Sequence, residues 1–416
     1  MPRTAPTAAH PPPEVFAPAQ LGPLTLRNRV IKAATFEGAT PKGVVGEELI
    51  AFHRAMAAGG VAMSTVAYLA VSPEGRTDRH CPMLTDDNVP GLRQLTDAVH
   101  AEGAAAAAQI GHAGPVANPH STRLPALAPS SGFSPMGTRL HAVVPADIER
   151  ITEDYRRAAA RAVEAGFDSI EVHVGHNYLL SAFLSPKLNR RDDQYGGSVE
   201  NRARFARTVL RAVRDAAGDK VAVTAKLNMA DGVDGGLWLD ESVEVARLFE
   251  SDGAIDALEL TGGSSLGNPM YLFRGDAPLR EFGATLPGPV RLGFRVLGHR
   301  FLKAYPYEEA FFLPFARQFL DALTSTPIIL LGGITELGTI TSALAEGFAF
   351  VAMARALLRE PDLPSRMRDG TATSSLCIHC NKCMPTIYSG TRCVLVPGRP
   401  GAPEAGPAAD APPPSA

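Results

Sequence analysis

The stretch Ile328-Ile329-Leu330-Leu331-Gly332-Gly333-Ile334-Thr335 is the key to how this chain folds. Four apolar residues make a short buried strand, the glycine pair ends it, and Thr335 is placed to cap the helix that the following spacing predicts. That helix runs into a second apolar run, Phe350-Val351-Ala352-Met353, which stops at Ala354-Arg355. Strand, helix, strand is the signature of parallel pairing through a crossover helix.

The same unit recurs along most of the 416 residues. Further strands are predicted at Val30–Ala34, Val61–Ala67, Ala104–Ile110, Ser169–His173, Val221–Lys226 and Ala257–Thr261, which makes eight with the two above. Helical patterns lie between them. One is predicted from Thr152, as N-cap, to Ala165, with Gly166 past its end. Another follows Ser198, with Val199, Ala203, Ala206, Leu210, Val213 and Ala217 as its apolar stripe and Arg204, Arg207, Arg211 and Arg214 facing out. Asp240 is placed to cap a third. Eight β-then-α units at this length predict an α/β fold, a closed (β/α)8 TIM barrel, with an open doubly wound sheet as the alternative topology. Two long connections, residues 111–148 and 262–307, leave the C-terminal ends of strands three and six, the face on which barrel active sites lie.

Composition narrows the function. The chain is 45% hydrophobic and 20% charged, with 40 basic and 43 acidic residues and a net charge of −3. That is a globular composition, and it offers no basic surplus for a nucleic-acid partner. The longest uncharged run, Gly103 to Thr122, is broken by Gln109, His112, Asn118, Pro119 and His120, so no membrane span is predicted. The first residues, MPRTAPTAAHPPP, lack the apolar centre of a secretory signal. Residues 1–13 and 398–416 are rich in Pro, Ala and Gly and are predicted to be disordered tails.

Four groups of residues carry chemistry. Gly332-Gly333 after strand seven, with Arg355 after strand eight, favours a phosphate site: glycines admit backbone N–H groups, a following helix adds its dipole, and Arg supplies a cationic fork. Gln109 ends strand three and either grips a flat heterocycle through its amide or satisfies loop backbone. Lys226, at the end of strand five, is a solvated strand end or a positive charge beneath a ligand. Strand four runs into Glu171-Val172-His173-Val174-Gly175-His176-Asn177-Tyr178-Leu179, where two imidazoles and a phenol can polarise a carbonyl and deliver a proton. A metal pair of the two histidines, or ordinary polar loop residues, are the alternatives. Finally, Cys377, Cys380, Cys383 and Cys393 lie within 17 residues, a density that suits an iron–sulfur cluster or zinc, or a vestige that holds no metal. Cysteines so clustered argue against a disulfide scaffold and for a reducing compartment, the cytoplasm. Cys81 is remote and is predicted to be a small buried residue.

Taken in order, several motifs resemble the Old Yellow Enzyme-like NADH:flavin oxidoreductase family over about residues 14–397. They are Leu26-Arg27-Asn28-Arg29-Val30, Gln109-Ile110-Gly111-His112-Ala113-Gly114, the strand-four run, Arg191-Asp192-Asp193-Gln194-Tyr195-Gly196-Gly197-Ser198 with Asn201-Arg202, Leu331-Gly332-Gly333-Ile334, and Arg355 with Pro361-Asp362-Leu363. The resemblance implies an FMN-binding barrel over residues 14–370, reduced by NAD(P)H, that passes a hydride to an activated C=C bond such as that of an unsaturated carbonyl. It implies that Ala34, Thr35, Gln109 and Lys226 contact the flavin ring, and that Gly332, Gly333, Ala354 and Arg355 hold its phosphate. His173 and His176 would bind the acceptor oxygen and Tyr178 would donate the proton. Residues 371–397 resemble the [4Fe–4S] site of the branch containing 2,4-dienoyl-CoA reductase and trimethylamine dehydrogenase. That branch implies the alternative function, a flavin and iron–sulfur dehydrogenase or demethylase passing electrons to a protein acceptor, or a flavin-binding subunit completed by a separate reductase. A small-molecule substrate is expected, with no nucleic acid and no membrane, and with homo-oligomers or an electron-transfer partner compatible with the sequence. The basic loop 262–307 is either a solvated surface or a preference for anionic substrates.

Overall fold

A computed structural model describes residues 14–286 and 288–402. Residues 1–13 and 403–416 of the expected tails lie outside the described residues. Eight strands close into a barrel: β1 (Val30–Phe36), β2 (Met63–Ala70), β3 (Ala105–Gly111), β4 (Ser169–Val174), β5 (Ala222–Asn228), β6 (Ala257–Thr261), β7 (Ile328–Leu331) and β8 (Phe350–Met353). Each pairs parallel to the next in chain order, and β8 pairs with β1. This is the (β/α)8 barrel and not the open sheet. Closure suits strands that are buried on both faces, which is why they read as largely apolar runs.

A hairpin, Ala19–Leu21 against Leu24–Leu26, precedes the barrel. Its Leu21 and Leu26 pack with Ala222, Ala257, Met63 and Phe350, at the starts of four strands. The hairpin closes that end, so the C-terminal strand ends form the mouth.

The helix Val199–Ala217 has the expected stripe, and Ser198 Oγ accepts from Asn201 N at 3.3 Å as its cap. Three expected caps are displaced. The helix assigned to Thr152–Ala165 runs from Pro145 to Glu164, and Thr152 sits inside it, donating to Ile148 O at 2.7 Å. Proline is favoured in the first turn, and Asp147 accepts from Val144 N at 3.1 Å, so the helix starts earlier than an N-cap Thr would suggest. Trp238, not Asp240, precedes Leu239–Asp252, and Glu336, not Thr335, precedes Leu337–Glu346. The long connections carry structure of their own: a three-stranded sheet within 111–148, and helices Met270–Phe273, Leu279–Thr285 and Gly288–Phe301 within 262–307.

Candidate active site

Charged residues interrupt the apolar strands only where they turn inward near the mouth. Lys226 on β5 is 2% exposed, with Nζ 3.0 Å from Glu171 of β4 and 2.7 Å from Glu259 of β6. It is therefore a buried cation and not a solvated strand end. Burial would lower its pKa, but the two carboxylates outweigh burial and hold the ammonium above the ordinary lysine value. Burial and the Glu171 charge together push Glu259 up to about 8. Gln109 of β3 donates from Nε2 to Glu171 Oε1 at 2.7 Å, so its amide belongs to this interior network and not to loop backbone.

A second buried pair lies on and just after β1, where Lys32 Nζ meets Glu37 Oε1 at 2.6 Å. Glu37 also accepts from Thr35 Oγ1 at 3.0 Å and from Ala67 N at 3.0 Å. Thr35 is thus held by a carboxylate that the sequence reading did not single out. Lys32, Glu37, Glu171 and Glu259 were detectable as single charges within or just after apolar strands, a pattern that marks inward polar positions.

The end of β4 brings His173, His176 and Tyr178 together. The His173 ring is 4.6 Å from the Tyr178 ring, which is itself 5.4 Å from Tyr68. His173 Nε2 lies 3.3 Å from His176 Nδ1, and His176 Nε2 lies 2.9 Å from Thr261 Oγ1. Burial lowers both imidazoles, aided by the nearby Lys226 charge, His176 to about 3, so the pair is neutral at physiological pH. His173 Nδ1 is buried without a hydrogen-bond partner among the described residues. Such an atom is costly unless a ligand satisfies it.

At the β7 end, Gly332 and Gly333 have φ of +120° and +73°, and a Cβ there would lie 2.5 Å from Phe312 and 2.6 Å from Phe311. Only glycine fits this close turn. The helix that follows does not aid a phosphate, because Glu309 occupies its start, accepting from Thr335 N at 2.6 Å and Glu336 N at 3.1 Å. Arg355, just after Ala354 and β8, forms no ion pair among the described residues; it donates to Arg274 O at 2.9 Å and to Asn381 Oδ1 at 2.5 Å. Asn381 belongs to the cysteine-rich segment, which is also tied to β1 by Thr391 N donating to Glu37 O at 2.7 Å. Cys377, Cys380, Cys383 and Cys393 line one cavity with Arg355 and Arg359, and all are free thiols. Among the described residues no three His, Cys, Asp or Glu side chains converge as a single bound metal ion would require. Cys81 is fully buried.

The strand-end groups suit a flat anionic cofactor. They offer an amide, a secured ammonium, a glycine turn that admits no side chain, and a guanidinium without a carboxylate partner among the described residues. The chain belongs to the NADH:flavin oxidoreductase / NADH oxidase family, whose model matches residues 14–258. Membership implies FMN and a nicotinamide reductant, and the protein is an oxidoreductase enzyme. It is 59% identical over 394 residues to a 4,4'-dithiodibutanoate disulfide reductase of Rhodococcus erythropolis, covering 94% of this chain and 96% of the relative. It is 32% identical to an NADH oxidase of Thermoanaerobacter brockii, over 89% of this chain but 53% of that protein, so it spans about half of that relative. Among solved structures, morphinone reductase in complex with tetrahydroNAD matches with a TM-score of 0.66 and 27% identity, covering 90% of this chain and 94% of that one. The fold is shared with 2-naphthoyl-CoA reductase, at a TM-score of 0.79 and 24% identity over 92% of this chain and 57% of that one. No helix among the described residues is long and apolar enough to cross a membrane.

Proposed function

We propose that the protein is an FMN-dependent NAD(P)H oxidoreductase that reduces a small organic acceptor at the C-terminal mouth of the barrel. The observation that carries this reading is the grouping of His173, His176 and Tyr178 at the end of β4, beside the buried Lys226 of the neighbouring strand. Ala34, Thr35, Gln109 and Lys226 are assigned to the ring of FMN, and Gly332, Gly333, Ala354 and Arg355 to its phosphate. Bound FMN supplies two-electron transfer from NAD(P)H to the acceptor. The chain supplies position and electrostatics. Lys226 favours negative charge on the ring, the histidine pair holds the acceptor's oxygen, and the Tyr178 phenol gives a proton to the α-carbon of an activated alkene.

A second acceptor class, a disulfide flanked by carboxylates, is favoured by the 59% identity to the Rhodococcus reductase over nearly the full length of both proteins. The two differ in their need for a proton. A thiolate leaves with a pKa near about 8.5, whereas a carbanion must be protonated as it forms. The test is anaerobic NAD(P)H oxidation with 2-cyclohexen-1-one and with 4,4'-dithiodibutanoate, for the native protein and Tyr178→Phe. Tyr178→Phe should slow enone reduction by about 100-fold or more and disulfide reduction far less, with FMN retained. Unchanged enone turnover removes Tyr178 as donor, and no turnover with either acceptor sinks the reading.

Cys377, Cys380, Cys383 and Cys393 are assigned to a [4Fe–4S] cluster. Four free thiols around one cavity support this, since each thiolate of such a cluster takes a different iron and need not converge on one point. Burial holds the Cys383 thiol up to about 12, so its thiolate is favoured only with a metal bound. Iron and acid-labile sulfide at about four per chain would support the cluster; zinc or no metal would dismiss it. Five free cysteines favour a reducing compartment, the cytoplasm.

A further inference from the structure

Two residues of the cysteine-rich loop reach into the phosphate site. Asn381, next to Cys380, is 1% exposed. Its Oδ1 accepts from Arg355 Nη1 at 2.5 Å, and its Nδ2 donates to Asp276 O at 3.0 Å. Arg355 Nη1 also donates to Arg274 O at 2.9 Å, and among the described residues its Nε and Nη2 have no partner. The guanidinium is thus gripped on one nitrogen and open to an anion on the other two. His379, between Cys377 and Cys380, stacks on Tyr307 with ring centroids 3.3 Å apart and planes at 9°. Tyr307 Oη donates to Gly333 O at 2.8 Å, an oxygen that Ala310 N also bonds at 3.0 Å. Both anion-binding elements of the site, Arg355 and the glycine turn, therefore lean on the loop that carries the thiols.

The path of that loop has little local support. Residues 375–381 form no helix or strand. His379 and Asn381 both have left-handed backbones, with φ of +57° and +54°. Such conformations persist in residues other than glycine only where the surroundings over-determine them. Cys377, Cys380 and Cys383 bracket both residues, so a metal centre held by the thiols fixes the loop from each side. The free energy of binding that centre is then in part the free energy of ordering the loop.

We propose that the cysteine-rich loop completes the flavin phosphate site: Asn381 orients Arg355 and His379, through Tyr307, steadies the Gly333 turn, so that metal on the four thiols tightens FMN binding. Asn381, His379 and Tyr307 are positioning residues. The coupling is reciprocal, so bound FMN also tightens the metal, and no electron has to pass between the two centres. This rests on the assignments above of FMN to the mouth and of metal to the thiols.

The test titrates anaerobically purified, flavin-depleted protein with FMN and with riboflavin, which lacks the phosphate, following flavin fluorescence. Metal is stripped with EDTA and ferricyanide and measured as iron and zinc. Stripping should weaken FMN binding about tenfold or more and leave riboflavin binding unchanged. Asn381→Gly tolerates the left-handed backbone but removes the acceptor for Arg355. With metal retained it should weaken FMN about tenfold or more, the worth of one hydrogen bond to a charged group, and spare riboflavin. Tyr307→Phe keeps the stack, loses the bond to Gly333 and should weaken FMN about three- to tenfold. FMN affinity unchanged by stripping, or both flavins weakened alike, overturns the coupling; unchanged FMN affinity in either variant overturns the role of that residue. Native protein that binds FMN no better than riboflavin refutes the phosphate assignment, and native protein without metal refutes the metal assignment; each result overturns the coupling with it.

Discussion

Replacing Lys226 with Met should destabilise the barrel and make its stability depend steeply on pH. Nζ lies 3.0 Å from Glu171 and 2.7 Å from Glu259, and the three side chains are at most 4% exposed. At an effective dielectric of about 20, each contact is worth roughly 6 kcal/mol of gross attraction, most of which offsets the desolvation of the charges. Removing one partner of such a buried set costs about 3–5 kcal/mol. The lower end applies, because burial and Glu171 already hold Glu259 up to about 8 with Lys226 in place. The lost ammonium penalises only ionised carboxyl forms, so its cost shrinks as pH falls toward the ordinary glutamate value of about 4.3. Lys226→Met should therefore lose about 3 kcal/mol at pH 8 and distinctly less at pH 5. Urea unfolding followed by Trp238 fluorescence and circular dichroism measures both. An equal loss at the two pH values, or a loss under about 1 kcal/mol at pH 8, would refute the charge argument.

Two other outcomes follow from the site. Gly333→Ala places a Cβ 2.6 Å from Phe311 at φ +73°, a strain of about 1–3 kcal/mol; flavin absorbance per purified chain should fall, whereas Gly338→Ala, with open space at its Cβ, should match the native protein. Since burial lowers both site imidazoles, His176 to about 3, the KM for an enone should show no break between pH 5 and 8; a break near about 6.5, the ordinary histidine value, would show that at least one ring titrates freely.

Much of the barrel was legible in the sequence because strands and helices are encoded in neighbours. Three of the eight strands, Ala257–Thr261, Ile328–Leu331 and Phe350–Met353, have the expected bounds, and the rest differ by one to three residues at their ends. The caps were less legible. Thr152, Asp240 and Thr335 are all good capping residues, yet proline at position 145 and the Glu309 carboxylate decide two of those helix starts, and Glu309 is 26 residues from Thr335. That carboxylate also removes the helix dipole from the expected phosphate site, leaving it to the glycine turn and Arg355.

By itself the sequence determined the class of fold and the inventory of the site: eight apolar strands, a glycine pair, a histidine–tyrosine run and four clustered cysteines. Each is a local pattern, readable within a few residues. What each side chain does was decided by closure of the barrel. Lys226 is a buried cation because β4 and β6 bring Glu171 and Glu259 alongside it, the first from 55 residues away. His176 meets Thr261 across 85 residues, and the neutral state of the histidine pair comes from burial at the mouth. Partners so distant in the chain are set by strand register and by exclusion of water, and neither is written in the order of neighbouring residues.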